Sequence, residues 1–235
     1  DTTLPSDIRS IVNIICTTPL LAPYQFSLIH SLAKKYFVHA HKVLALFLPK
    51  FIFNTLEKKA FEPMVDMSYK PKAKSQKPHW ISFFHNTQNV PLSQFVQNFI
   101  ENHPENTAII FPDDLLLSQT VKHLWDVTKW ATISKNGDTY TKRYKNWLLT
   151  SKQSQKILIW TRRLLQYNLA GYTTILYIED SLARQTHSYE HIYSNTEILS
   201  NLAKAGFDIT VFSSVPSTES MLKIRLGEYH LLSSK

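Results

Sequence analysis

The sequence predicts an α/β fold, a mostly parallel sheet with helices on both faces, preceded by a small helical module. Three observations carry this. Thr173–Ile178 is an unbroken run of β-branched, aliphatic and aromatic residues with no polar alternation, the pattern of a strand buried on both faces. Ile157–Trp160 repeats that pattern and runs into Thr161, Arg162 and Arg163. From His79 onward, such runs alternate with segments of helical period, which implies right-handed crossovers between parallel strands.

Taken in order, residues 1–60 read as helical. Ser6 is an N-cap candidate before Ile8, Ile11, Val12, Ile14 and Ile15. Pro19 stops that helix. Pro23 opens a second, with Phe26, Ile29, Leu32, Ala33 and Tyr36 spaced mostly three or four apart. A third runs from Ala40 to Leu48 and ends at Pro49. Residues 61–78 form a linker with Pro63, Pro71, Pro78 and a lysine-rich run from Lys70 to Lys77. That linker is either a plain connector or a strap that touches phosphates.

The alternation then begins. The sequence predicts strand Trp80–Phe84, helix Leu92–Asn102, strand Thr107–Phe111 and a helix from Leu115 to near Lys129. Strand Ala131–Ser134 and a helix near Thr139–Leu149 follow, then the strands at 157–160 and 173–178. Helix Asn195–Ala205 leads to strand Asp208–Phe212, helix Thr218–Leu226 and a short strand Tyr229–Leu232. Residues 79–235 thus form one α/β domain.

Composition narrows the function. At 235 residues, one large or two small domains are expected. The chain has four glycines, which argues against a Gly-rich nucleotide cradle. Its net charge of +8 is uneven: residues 1–80 hold 11 Lys and Arg against 5 Asp and Glu, the remainder 15 against 13. A basic front part suits a polyanionic partner, or simply a solvated surface. Cys16 is the sole cysteine, so an intrachain disulfide is impossible. No stretch reaches the roughly 18–20 apolar residues of a membrane span, and no basic-then-apolar leader opens the chain. The expected location is the cytoplasm. Asp1 in place of Met suggests a piece of a longer chain.

Two carboxylates, Glu179 and Asp180, follow the strand at 173–178 directly. Parallel sheets gather ligands at the carboxyl ends of their strands, and an acidic pair at such a place holds Mg²⁺ in many NTPases. The motifs around it, in order, are Phe84-His85-Asn86-Thr87-Gln88-Asn89-Val90-Pro91-Leu92-Ser93, then Ile109–Leu115 with Pro112-Asp113, and Arg143-Tyr144-Lys145-Asn146-Trp147. Ile157–Arg163, Ile175–Asp180 and Val211–Ser220 complete the set. In this order they resemble the first RecA-like lobe of the PriA (primosomal protein N′) replication-restart helicases. Ser6–Phe51 resembles that family's helical segment after its 3′-end-binding domain. The resemblance implies a RecA-like, P-loop NTPase-type sheet and a DNA partner, single-stranded or forked, with other replication-restart proteins as further partners and no membrane.

The departures from that family are as informative. A phosphate loop reads G-x-x-x-x-G-K-[ST]. At that spacing the chain has Asn86, Pro91, Leu92 and Ser93, with Asn89 inside the loop, so the hydroxyl alone remains. Pro91 lacks the N–H that should face phosphate. Leu92 replaces the ammonium, and a charge-assisted contact is worth roughly 1.5–3 kcal/mol. Glu179-Asp180-Ser181-Leu182 stands where the family has Asp-Glu-Glu-His. The resemblance therefore implies a degenerate helicase lobe with no catalytic residue, no metal and no cofactor. ATP and Mg²⁺ belong to the chain only if it is instead an active 3′–5′ helicase whose second lobe lies beyond Lys235. A third reading is a primosome scaffold that binds protein and not DNA.

Candidate nucleic-acid contacts are Thr161, Arg162 and Arg163 at a strand end, and Lys34, Lys35, Lys42, Lys58 and Lys59 near Tyr24, Phe26, Tyr36 and Phe37, since aromatics beside lysines suit single strands. The alternative for each is an ordinary solvated surface or a core aromatic. Glu179 and Asp180 either hold a metal or cap and pair within the fold. His39-x-His41 has no visible third ligand, and Ser93 has no base at a recognisable spacing. Asp113, Asp114 and Asp208 read as strand-end or helix-cap groups.

Overall fold

A computed structural model describes residues 20–48, 81–104, 106–124, 131–151, 156–161, 165, 167–179 and 193–232. The helix expected around Ile8–Ile15 and the linker at 61–78 lie outside these residues. The described chain runs α1 (Pro23–Lys35), α2 (Ala40–Phe47), β1 (Ile81–His85), α3 (Leu92–Asn102), β2 (Thr107–Phe111) and α4 (Asp114–Lys122). It continues with β3 (Ala131–Ser134), α5 (Tyr140–Ser151), β4 (Ile157–Thr161), β5 (Thr174–Ile178), α6 (Asn195–Lys204), β6 (Asp208–Ser213), α7 (Thr218–Arg225) and β7 (Tyr229–Leu232).

The seven strands form one sheet in the order β3-β4-β2-β5-β6-β1-β7, and every pairing is parallel. This is an α/β sheet compatible with a RecA-like fold. The order explains the layering. From β1 through β2 to β3 the chain moves toward one edge, and right-handed crossovers put α3 and α4 on one face. From β3 onward it moves back the other way, so α5, α6 and α7 fall on the opposite face. Alternation along each strand serves both layers. Ile109, Phe111, Ile157, Ile159, Leu176, Ile178 and Phe212 pack with Val96, Phe99, Ile100 and Leu117 of α3 and α4. Phe83, Ala108, Ile110, Leu158, Trp160, Ile175, Tyr177 and Val211 pack on the other face with Trp147 of α5 and Ile198, Leu199 and Leu202 of α6. All five residues of β2, β4 and β5 are buried, as expected of central parallel strands.

The helices α1 and α2 share the second layer through Leu28, Ile29, Leu32, Val43 and Phe47. Tyr24 packs edge-on against Phe207 and its hydroxyl accepts from the Leu169 amide at 2.8 Å. At the other end, the Tyr36 hydroxyl accepts from Ser194 N at 2.9 Å, and Lys35 meets Glu197. Helix α1 therefore runs antiparallel to α6, and its last turn lies at the carboxyl edge of the sheet, where α6 begins.

One helix is shorter than the sequence suggests. The periodicity predicts a helix to near Lys129, yet α4 ends at Lys122 and His123 N turns back to Thr120 O. The Ser118 and Thr120 hydroxyls each bond the carbonyl four residues earlier, a competition that weakens helix propagation.

Candidate functional site

All seven strands end on the same edge, so the loops after them bring the candidate residues together. The β1–α3 loop has the spacing of a phosphate loop but a different filling. Asn86 is 9% exposed. Its Oδ1 accepts from Val90 N at 2.9 Å, and its Nδ2 donates to Val90 O at 3.0 Å. Its backbone N–H donates to Ser213 O at 3.0 Å. The side-chain amide thus spans the loop and satisfies both the Val90 N–H and its carbonyl from within. Asn89 closes the turn with φ +55°, a left-handed conformation that Asn tolerates. Pro91 caps α3 without a side-chain hydrogen bond. Leu92 packs partly into the apolar layer beside Phe84 and Phe95. Ser93 is half-buried in the first turn of α3. With Val90 N engaged, no N–H at Pro91 and no ammonium at Leu92, these residues do not fit a triphosphate.

Glu179 ends β5 with φ +54°, a conformation that costs a non-glycine residue about 1 kcal/mol or more. The left-handed turn points its carboxylate at the end of β6. Both oxygens accept from Ser214 N at 3.1 Å, Oε1 accepts from Ser214 Oγ at 2.7 Å, and Oε2 accepts from Ser213 Oγ at 3.3 Å. Its backbone N–H donates to Phe212 O at 2.7 Å. The group is 8% exposed, so these donors offset the cost of burying its charge. Asp180 lies outside the described residues.

A second carboxylate ties three more strand ends together. The Thr161 hydroxyl donates to Asp114 Oδ1 at 2.5 Å. The same carboxylate accepts from Asn136 N at 3.0 Å and Gly137 N at 3.1 Å, in the turn after β3. Lys135 Nζ donates to Ser118 Oγ, and Lys142 pairs with Asp138 at 2.7 Å. Thr161 is 3% exposed and its hydroxyl is turned inward. Arg162 and Arg163 follow it outside the described residues. Asp113 caps α4 by accepting from Leu116 N at 2.8 Å.

Of the lysine candidates, Lys34, Lys35 and Lys42 are exposed, and Lys58 and Lys59 lie outside the described residues. Lys35 Nζ sits 2.5 Å from Glu197 Oε2, and that hydrogen bond holds its ammonium proton more tightly than usual. Tyr36 packs edge-on against Tyr193 at 5.0 Å, while Phe37 is almost wholly exposed with φ +53°. His39 and His41 stack at 5.6 Å. Among the described residues, no group of three or more His, Cys, Asp or Glu is placed to hold a metal, and no helix is long and apolar enough to cross a membrane.

The sequence reads Asp114 as a strand-end or helix-cap group and Asn86 as part of a degenerate phosphate loop, and misses the contacts that each makes. Asn86 carries a faint signal, an amide at a strand end four residues before a helix-opening Val-Pro. Asp114 carries none, because its partners lie 22 to 47 positions away.

The fold defines the class, a seven-stranded all-parallel α/β sheet compatible with a RecA-like topology, whose β1–α3 loop is closed from within by the Asn86–Val90 pair. No protein-family model matches the chain, and no curated protein matches its sequence.

Proposed function

We propose that the chain is a PriA-like DNA-binding protein of replication restart, acting in the cytoplasm with a degenerate, ATP-inactive helicase lobe. The observation that supports this most is the β1–α3 loop, where the Asn86 amide takes the Val90 N–H and Pro91 and Leu92 replace the glycine and lysine of a phosphate loop. The turned-in carboxylate of Glu179 agrees with it. A sheet edge without a triphosphate site keeps its loops, and loops after parallel strands are where nucleic acid backbone is held in proteins of the class this chain resembles. Contacts from lysines and arginines to phosphate give an affinity that falls steeply with salt.

The test is a labelled DNA fork titrated at two salt concentrations, with ATP hydrolysis measured on the same samples. The expected result is binding that weakens with salt and no turnover with or without fork. Absence of binding at low salt overturns the reading. Fork-stimulated hydrolysis that is lost in Asp180→Ala replaces it with an active helicase.

A further inference from the structure

Helix α5 begins at the carboxyl edge, directly after the turn that the Asp114 carboxylate holds through Asn136 N and Gly137 N. Its first residue, Tyr140, is 69% exposed. The Arg143 guanidinium lies over the Tyr140 ring with its carbon 4.9 Å from the centroid. Lys142 and Lys145 are exposed, and the first turn of the helix carries no acid. The ring thus lies beside Arg143 and Lys145, with Lys142 paired to Asp138, at the carboxyl edge where parallel sheets gather ligands. A ring backed by a cation on one face and open to solvent offers a stacking surface, and the neighbouring ammonium groups suit the phosphates of the same strand.

We infer that Tyr140, backed by Arg143, is a stacking platform for an unpaired base of single-stranded DNA. The inference rests on the DNA-binding reading above and deepens it. It names the form of DNA, because a base inside a duplex has no free face to stack. The start of α5 is fixed from behind. Asp114 anchors the turn, and Asn146 Nδ2 donates to Ile133 O at 3.2 Å, which ties α5 to β3. The contact is sequence-tolerant, since every base has a π face.

The experiment measures polarisation of a labelled oligothymidine and of an abasic strand of equal length, at fixed salt, with the full chain. Tyr140→Ala is expected to weaken oligothymidine binding about 5- to 150-fold, the range of one base–aromatic stack. It should leave the abasic strand and the slope against salt unchanged. Tyr140→Trp should retain or improve the affinity. Lys145→Ala should instead lower the salt slope by roughly 0.7. Equal oligothymidine affinity in wild type and Tyr140→Ala overturns the inference, as does an equal loss on both strands. In either case fork binding by the wild type persists and the DNA-binding reading stands. A wild type that binds none of these DNAs overturns both.

Discussion

Glu179 distinguishes a carboxylate kept for structure from one kept for a metal. Replacing it with Ala removes the acceptor for Ser214 N, Ser214 Oγ and Ser213 Oγ. Hydrogen bonds to a charged group are worth roughly 1.5–3 kcal/mol, but Ser214 is exposed and water can replace part of that loss. Ser213 is fully buried, although its hydroxyl keeps Val215 O at 3.0 Å. The expected cost of Glu179→Ala is therefore about 2 kcal/mol. Glu179→Gly loses the same contacts but relieves the left-handed backbone, which is worth about 1 kcal/mol, so it should be less destabilising than Ala. Glu179→Gln keeps one acceptor and should likewise cost less than Ala, near 1 kcal/mol. Urea unfolding of the three variants reads all of this. A carboxylate held for Mg²⁺ behaves oppositely: it is strained and self-repelling without its ion, and its removal stabilises. A Glu179→Ala variant as stable as the wild type, or more so, refutes the structural account. A Gly variant worse than Ala refutes the part assigned to φ.

Two further predictions follow from the same edge and its core. Thr161→Val should cost about 1.5 kcal/mol by removing the hydroxyl from Asp114. It should couple to Asp114→Ala by at least about 0.5 kcal/mol in a double-mutant cycle, and additive losses would show that the two act separately. Burial pushes the Tyr167 phenol up to about 12, with the Ser134 hydrogen bond opposing it, and burial pushes Tyr172 up as well. An unfolded tyrosine gives up its proton near 10 and the folded Tyr167 keeps it, so stability is intact below that pH and is lost as pH rises toward 12. The slope is about 1.4 kcal/mol per pH unit for each such group. Urea midpoints at increasing alkalinity should show it, and Tyr167→Phe should reduce the slope to the share of Tyr172.

The parts of the fold that were legible in the sequence are those fixed by local burial. Strands β2, β4 and β5 are buried on both faces, so an unbroken apolar run marks each of them. Helix α3 has a Pro before it and an apolar period within it, and Leu92–Asn102 was readable to the residue. The end of α4 was not, because the Ser118 and Thr120 back-bonds compete with a helix that the apolar period alone would continue. In the site, the departure of Pro91 and Leu92 from a phosphate-loop pattern was visible in the sequence. What filled the gap was not. The Asn86 bridge depends on how the loop closes, and the partners of Glu179 sit 34 and 35 positions away, at the end of β6 and just past it. The docking of α1's last turn at the sheet edge, through Tyr36 and Lys35, likewise needs contacts more than 150 positions apart.

Asn86 and Glu179 solve one physical problem in the same way. Where a parallel strand gives way to a loop and helix, amides and carbonyls lose their sheet partners and need new ones. A bound nucleotide supplies acceptors for those amides in a phosphate-binding loop. Here the chain supplies them itself: Asn86 Oδ1 for Val90 N, and the Glu179 carboxylate for Ser214 N. Pro91 removes one amide from the demand altogether. An incoming phosphate would have to break the Asn86–Val90 pair, at about 1 kcal/mol per hydrogen bond, and would find Leu92 where a lysine should neutralise it. The contacts that hold the loop closed are thus the same ones an incoming phosphate would have to displace, and a change that opens the loop must first loosen the fold around it.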